Sequence, residues 1–193
     1  MLKFILCFCY FFTLNAKIIA QENVDSTRVV RILTYNIYHG ETVNAKKQFD
    51  LDLLAKIISN TKPDLVALQE VDFKTNRVLK IDLVTELSLR AKMIGLFGKA
   101  MIFDGGEYGE GILSKFSFLS TKNHALVARE NKEPRTALEV NVRIKSGDLI
   151  RFIGTHLDHT EDETDRKNQA NQINDIFSKN KLGVSFYFFH HFM

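Results

Sequence analysis

The chain has 193 residues, of which 45% are hydrophobic and 25% are charged, and its formal net charge is +3. This composition is typical of a globular domain, so it excludes a chain that is disordered throughout and a collagen-like repeat. The charge is close to neutral, which excludes the broad basic surface of a tight nucleic-acid binder. A polyanionic ligand would therefore have to be bound at one localised site, by a metal ion and a few hydrogen-bond donors.

The first 20 residues have the pattern of a secretory signal peptide. Lys3 precedes an almost unbroken apolar run from Phe4 to Leu14, and Ala20 offers a cleavage point before polar sequence. The run is shorter than the roughly 20 apolar residues that span a bilayer, which makes an uncleaved membrane anchor the weaker alternative. Both cysteines, Cys7 and Cys9, lie in this segment, so the mature chain needs no disulfide. We expect a secreted or periplasmic protein with no stable membrane span after cleavage.

The next segments predict alternating strands and helices. A polar leader, residues 21–28, precedes residues 29–37, whose β-branched and aromatic side chains predict a buried strand. Asp50 is a candidate N-cap for a helix that continues to about Asn60 with apolar residues at helical spacing. The short apolar run 65–68 predicts a central strand.

The second half of the chain continues this alternation. Further helices are predicted over residues 81–91 and 161–178, and strands over residues 93–103, 112–113, 116–119, 137–144 and 149–155. No repeat or proline-rich linker divides residues 29–181, which predicts one domain. Residues 182–193 show neither a helical nor a strand period and form an atypical hydrophobic tail, with a hydrophobic C-terminal strand or a membrane-contacting tail as the alternative.

Four short segments place polar residues at the C-terminal ends of apolar strands, where open α/β sheets usually bind ligands. These segments are residues 34–37, 68–72, 108–114 and 154–159. In this order and at these spacings they resemble the endonuclease/exonuclease/phosphatase superfamily of deoxyribonuclease-like, metal-dependent hydrolases. The resemblance covers about Val30 to Phe177, and its most specific part is residues 63–72. It implies an α/β fold, the N-terminal part of a two-layer β-sandwich flanked by helices, and hydrolysis of phosphoester bonds.

Glu70 is the candidate metal ligand. A carboxylate that follows a buried apolar strand needs a cation or strong donors to offset its desolvation, although a structural ion pair would also serve. Mg²⁺ is expected, with Mn²⁺ as a substitute, because magnesium prefers oxygen ligands and commonly uses one or two protein carboxylates beside a substrate phosphate. The resemblance adds Asn36, whose amide would orient the metal, its water or the phosphate, unless it only braces a turn. Asp72 stays open between a capping role and a direct one.

The resemblance also implies the catalytic residues. Asn36 is one of them. The hydroxyl of Tyr108 would hydrogen-bond the phosphate, unless Tyr108 only packs against its neighbours. His156 would stabilise the charge that develops in the transition state. For substrate binding, the guanidinium of Arg135 could grip an anion or form an ion pair that holds its loop. Asp158 would orient His156 or shape the pocket.

The chain departs from the family pattern in two ways. Glu110 stands where an uncharged residue is common, so its carboxylate must point away from the phosphate or meet the metal. The later motifs Gly-Asp-x-Asn and Ser-Asp-His, which the resemblance assigns to deprotonation of the attacking water, occur nowhere in the 193 residues. We therefore expect a truncated chain, inactive as it stands, whose missing part would supply the opposing sheet.

The expected substrate is a phosphorylated compound of open class, with nucleic acid among the candidates, and no protein partner is predicted. The loops that choose between nucleic acid, phospholipid and small phosphate esters differ most among relatives. The alternative function is a catalytically inactive, secreted binding module that keeps the fold.

Overall fold

The computed structural model describes residues 29–42 and 49–178, together with the backbone of residues 184–190. The predicted signal peptide, the polar leader and both cysteines lie outside the described residues. Within the described part of the chain, no helix has the length and apolar character needed to cross a membrane.

The described residues form eight strands and three helices, and the elements up to the third helix follow the order that the sequence predicts. They are β1 (Ile32–Asn36), α1 (Leu51–Thr61), β2 (Leu65–Phe73), α2 (Leu83–Ala91), β3 (Ile94–Phe103), β4 (Gly106–Ser114), β5 (Phe118–Leu126), β6 (Arg135–Arg143), β7 (Leu149–His156), α3 (Thr164–Ser178) and β8 (Val184–His190). The predicted N-cap is confirmed, because the Asp50 side chain accepts the backbone N–H of Leu53 at 2.9 Å. A single 3₁₀ turn, Tyr38–Gly40, follows β1.

The strands form two four-stranded sheets. In the first, the order is β1-β2-β4-β3, with β1 and β2 parallel and the other neighbours antiparallel. In the second, the order is β5-β6-β7-β8, and only β7 and β8 are parallel. Residues Val184–His190 thus have the hydrophobic C-terminal strand that was the alternative to an irregular tail.

Three apolar clusters stack the two sheets and the helices into layers. Successive residues of β2 point to opposite faces: Val66 and Leu68 pack against α1 and α2, whereas Leu65 and Ala67 face the second sheet. A third cluster packs α3 on the outer face of the second sheet through Ile173 and other residues. The fold is therefore a β-sandwich with helices on both outer faces, as predicted.

The opposing sheet comes from this chain, so the prediction that a missing part would supply it is wrong. Ala67 and Ile112 of the first sheet share one cluster with Leu138 and Phe152 of the second, and all four are at most 2% exposed. The sequence located strands in this region, but a strand pattern does not specify which sheet the strand joins. Consequently the inner face of the first sheet is covered rather than left as an exposed apolar surface.

Candidate active site

A pocket of about 300 Å³ lies where β2, β4 and β7 bring polar side chains together. Its walls are formed by Tyr38, His39, Glu70, Arg77, Met101, Tyr108, Glu133, Arg135, His156 and His159. Four of the predicted site residues thus meet in one cavity: Glu70, Tyr108, Arg135 and His156. The pocket is the place where their joint chemistry can act on one ligand.

A β-bulge in β2 directs Glu70 toward this pocket. Leu68 pairs with Gly111 and Val71 with Gly109, so Gln69 and Glu70 together stand opposite one residue of β4. Glu70 has a φ of 57°, in the left-handed region that residues other than glycine seldom adopt. Because a bulge re-aims a side chain, Glu70 leaves the helix-facing side that strict alternation would give it, and Val71 packs there instead.

Asn36 holds the Glu70 carboxylate in place. The Asn36 Nδ2 amide donates to Oε1 of Glu70 at 2.7 Å, and its Oδ1 oxygen accepts the backbone N–H of Tyr38 at 2.9 Å. Both groups of the amide are therefore engaged within the protein, and the role of Asn36 toward the metal stays a prediction. Its place is behind the carboxylate, where it positions Glu70.

The donor set around Glu70 is one oriented carboxylate, which a divalent cation would share with water and a substrate phosphate. Within residues 29–42 and 49–178, no three histidine, cysteine, aspartate or glutamate side chains converge as a metal site. Magnesium keeps several waters and is commonly held by one or two carboxylates together with substrate phosphate. A single oriented carboxylate at the wall of a pocket is consistent with that mode of binding.

Tyr108 presents a protonated hydroxyl to the pocket. It is 9% exposed, and burial, reinforced by the negative charges of Glu70 and Glu133, raises its pKa above the ordinary value of 10.0. The phenol therefore keeps its proton and can donate a hydrogen bond.

The next residue, Gly109, has no room for a side chain, because an added Cβ would lie 2.0 Å from the backbone oxygen of Gly98 in β3.

Arg135 positions two histidines. Its Nη1 donates to Nδ1 of His156 and its Nη2 to Nδ1 of His159, both at 3.1 Å, while Oε1 of Glu133 lies 3.0 Å from Nη1. Since Arg135 is always protonated, Nδ1 of His156 must be the acceptor, and the neutral ring carries its proton on Nε2. His156 therefore carries its N–H on Nε2, and His156, 2% exposed, and Arg135, 3% exposed, are both buried residues of the pocket wall.

Glu110 lies between the two sheets beneath the pocket. Alternation along β4 places it on the same face as Tyr108 and Ile112, the face that packs against the second sheet. Burial raises the pKa of its carboxyl to about 8; the nearby Arg135 opposes this shift, and Glu70 adds to it. The carboxyl also accepts the backbone N–H of His156, so it joins β4 to the end of β7. Its side chain is buried and does not belong to the pocket wall.

Asp158 and Asp72 have structural partners. Oδ1 of Asp158 accepts the backbone N–H and the hydroxyl of Thr160 at 3.0 and 2.5 Å, and the residue does not belong to the pocket wall. Its predicted contact with substrate is therefore not supported by its position. The Asp72 carboxylate, which is fully buried, binds the guanidinium of Arg77 and the hydroxyl of Thr75.

Sequence reasoning missed several titratable side chains of the wall, among them Arg77 and His39. Arg77 follows β2 in a loop with no periodic pattern, and only its pairing with Asp72 identifies it. His39 lies in the 3₁₀ turn after β1, and burial, followed by the positive charge of Arg77, lowers its pKa. Its position directly after the first strand was the only signal available in the sequence.

The two-sheet sandwich and its polar pocket define a class of protein, and comparison with known families agrees. Residues 33–181 match the model of the Endonuclease/Exonuclease/phosphatase family, so the chain belongs to this family. Its members are hydrolases that act on phosphoester bonds. The predicted family is therefore confirmed.

Solved structures show the same fold at low sequence identity. An endonuclease/exonuclease/phosphatase from Beutenbergia cavernae has a TM-score of 0.66 at 22% identity, over 76% of this chain and 43% of that one. A family protein from Leptotrichia buccalis gives 0.65 at 16% identity, over 83% and 66%. D. rerio TDP2, complexed with a single-strand DNA product, gives 0.60 at 20% identity, over 84% and 59%. The present chain thus spans about 43% to 66% of the length of these structures.

Proposed function

We propose that this protein is a secreted hydrolase of phosphoester bonds that depends on a divalent metal ion, Mg²⁺ or Mn²⁺, at Glu70. The observation that carries the proposal is the convergence of Glu70, Tyr108 and His156 on one pocket. Hydrolysis of a phosphoester requires a carboxylate that binds the cation close to donors that bind the phosphoryl oxygens. This pocket brings one carboxylate and two uncharged donors together. Family membership supports the same chemistry.

Each of these side chains has one role in the proposal. Tyr108 donates its O–H and His156 its Nε2–H to the non-bridging oxygens of the phosphoryl group, where negative charge accumulates during displacement. Arg135 holds His156 in the tautomer that can donate. Glu70, fixed by Asn36, binds the cation, which supplies positive charge that polarises the phosphoryl group.

The proposed substrate is a phosphodiester or phosphomonoester that reaches the pocket with at least one accessible phosphate. The single-strand DNA product in the D. rerio relative supports nucleic acid as one candidate. The near-neutral charge of this chain favours substrates gripped at one or two phosphates over long duplexes. Export is proposed from the N-terminal sequence, and N-terminal sequencing of the exported product tests it.

Two measurements on the same preparation test the function. Calorimetry with Mn²⁺ and with orthophosphate measures binding, and hydrolysis of bis(4-nitrophenyl) phosphate with Mg²⁺ or Mn²⁺ measures turnover. We expect both ligands to bind the chain and, in a version that also carries the Gly-Asp-x-Asn and Ser-Asp-His motifs, Glu70→Gln to abolish metal-dependent turnover. Binding without any turnover would favour the inactive binding module, and the absence of both would overturn the phosphoesterase assignment for this pocket.

A further inference from the structure

The guanidinium of Arg77 is fixed along one edge only. Its Nε donates to Oδ2 of Asp72 at 2.6 Å and its Nη2 to Oδ1 at 2.7 Å, so one carboxylate satisfies one edge of the fork. Asp72 is completely buried, whereas about 31% of the Arg77 side chain is exposed. The paired edge therefore faces the interior, and the exposed part of Arg77 belongs to the pocket wall.

Two aromatic rings hold the plane of this guanidinium. Its central carbon lies 4.7 Å from the centroid of the Phe103 ring and 5.6 Å from that of Tyr108. Such stacking, together with the bidentate pair, pre-organises an arginine and lowers the entropy that it would lose on binding a ligand. The contact with Tyr108 also places Arg77 beside the donor that is assigned to the scissile phosphate.

Arg77 keeps hydrogen-bond donors that the described residues do not engage. A guanidinium has five N–H groups, and Asp72 engages two of them. Among the described residues, none accepts a hydrogen bond from Nη1 of Arg77. The N–H groups of Arg77 that Asp72 does not engage lie at the wall of a cavity. Their fork geometry is suited to two oxygens of one phosphate group.

We propose that Arg77 forms a second anion subsite, so that the preferred substrates carry a second phosphate group beside the phosphoester that is cleaved. This inference rests on the proposed function, because Tyr108 and His156 must receive the first phosphate. A doubly charged phosphate suits the site better than a singly charged carboxylate, since Asp72 already offsets part of the charge on Arg77. The relevant substrate class carries a phosphomonoester beside the cleaved phosphoester, as a bisphosphorylated small molecule or a terminally phosphorylated oligonucleotide does.

The test compares the affinity of the full chain for one phosphate and for two, by calorimetry in metal-free buffer. The probes are orthophosphate, pyrophosphate and propane-1,3-diyl bisphosphate, which present a second phosphate at two different spans. We expect at least one two-phosphate probe to bind about tenfold more tightly than orthophosphate, as a charge-assisted bidentate contact would provide. In R77K, this advantage should fall below about twofold while orthophosphate affinity stays within about twofold.

R77K retains a positive charge opposite Asp72 but loses the second edge of the fork. If R77K does not fold, the double variant Asp72→Asn with Arg77→Gln is used instead of R77K. It removes both charges of the Asp72–Arg77 pair, so neither charge is left without its partner. Arg90→Lys, an exposed arginine on α2, is the matched control and should leave every affinity unchanged. Circular dichroism and thermal melting confirm that each variant is folded before its affinities are compared.

The outcomes separate this inference from the proposed function. If orthophosphate binds and Arg135→Lys weakens it, but neither two-phosphate probe gains affinity through Arg77, the second subsite is wrong and the first stands. If the advantage survives in R77K, the second phosphate binds elsewhere and the inference is overturned. If no phosphate probe binds the unaltered chain, both the phosphate pocket and the inference that rests on it fail.

Discussion

Arg135 donates a hydrogen bond of 3.1 Å to Nδ1 of His156, across the 21 residues that separate them in the chain. The bond fixes which nitrogen of the ring carries the proton, because an arginine can only donate. The opposite nitrogen, Nε2, is then the donor of the ring. A buried arginine thus sets the hydrogen-bonding character of the residue that is expected to meet the phosphate.

We expect Arg135→Lys to weaken orthophosphate binding by about tenfold, because one ammonium group cannot reproduce a fork that serves two histidines. In the ¹⁵N spectrum of the histidine rings, His156 should change from a single neutral tautomer to a mixture. Arg143→Lys, at the opposite end of β6, is the control, since that side chain donates to the backbone oxygen of Gly147. An unchanged tautomer in Arg135→Lys would show that another group orients the ring.

We expect Glu70→Gln to weaken Mn²⁺ binding by more than about tenfold, because the cation loses its charged oxygen ligand. Asn36→Ala should give a smaller loss, since the carboxylate remains but its 2.7 Å hydrogen bond does not. Mn²⁺ titration followed by electron paramagnetic resonance measures both. Glu133→Gln, a second carboxylate of the same wall, is the control. Equal losses in Glu70→Gln and Glu133→Gln would contradict the assignment of Glu70 as the main ligand.

Gly109→Ala should lower the free energy of unfolding by about 2 kcal/mol or more, because the added Cβ overlaps the backbone of β3. Gly111→Ala in the same strand is the matched control. Its nearest atoms, at 3.0 to 3.3 Å, belong to the side chains of Val84 and Leu68, which can shift. Urea unfolding of the two variants separates them, and equal stability would show that β3 yields at Gly98.

Periodicity in the sequence was sufficient to predict the helices and most of the buried strands, whereas the sandwich was implied by the family resemblance. Apolar residues at helical spacing identified α1, and alternation identified β6. The extent of β5 was less clear, because Ser120 to Asn123 are exposed edge-strand residues and carry no apolar pattern. β5 accordingly continues to Leu126, well past the predicted end at Leu119.

The contacts within the site could not be read from the sequence to the same degree. The bulge at Gln69 and Glu70 depends on how β2 meets β4, which no local pattern encodes. For Asn36, the motif identified a site residue, but which groups its amide contacts follows from the 3₁₀ turn beside it. The pairing of Asp72 with Arg77 depends in the same way on the path of a loop.

The acidity of Glu110 gives a prediction about stability and pH. The pKa of its carboxyl is raised from an ordinary value of 4.5 to about 8 in the folded protein, first by burial. The folded state therefore binds this proton more tightly than the unfolded state does. The stabilisation linked to the proton is complete below pH 4.5, declines as the pH rises, and is lost above the folded pKa of about 8.

Glu110→Gln should remove this dependence, because glutamine is neutral at every pH and has nearly the shape of the protonated acid. At pH 9 the variant should be the more stable protein, by up to roughly 5 kcal/mol, since each unit of pKa shift corresponds to about 1.4 kcal/mol. Near pH 5 the two should differ little. Urea unfolding between pH 5 and 9 in metal-free buffer measures the difference, with Glu107→Gln as the control, because Glu107 pairs with Lys99 at the surface. Parallel stability curves for the chain and Glu110→Gln would mean that Glu110 is ionised between the sheets and is stabilised there by Arg135.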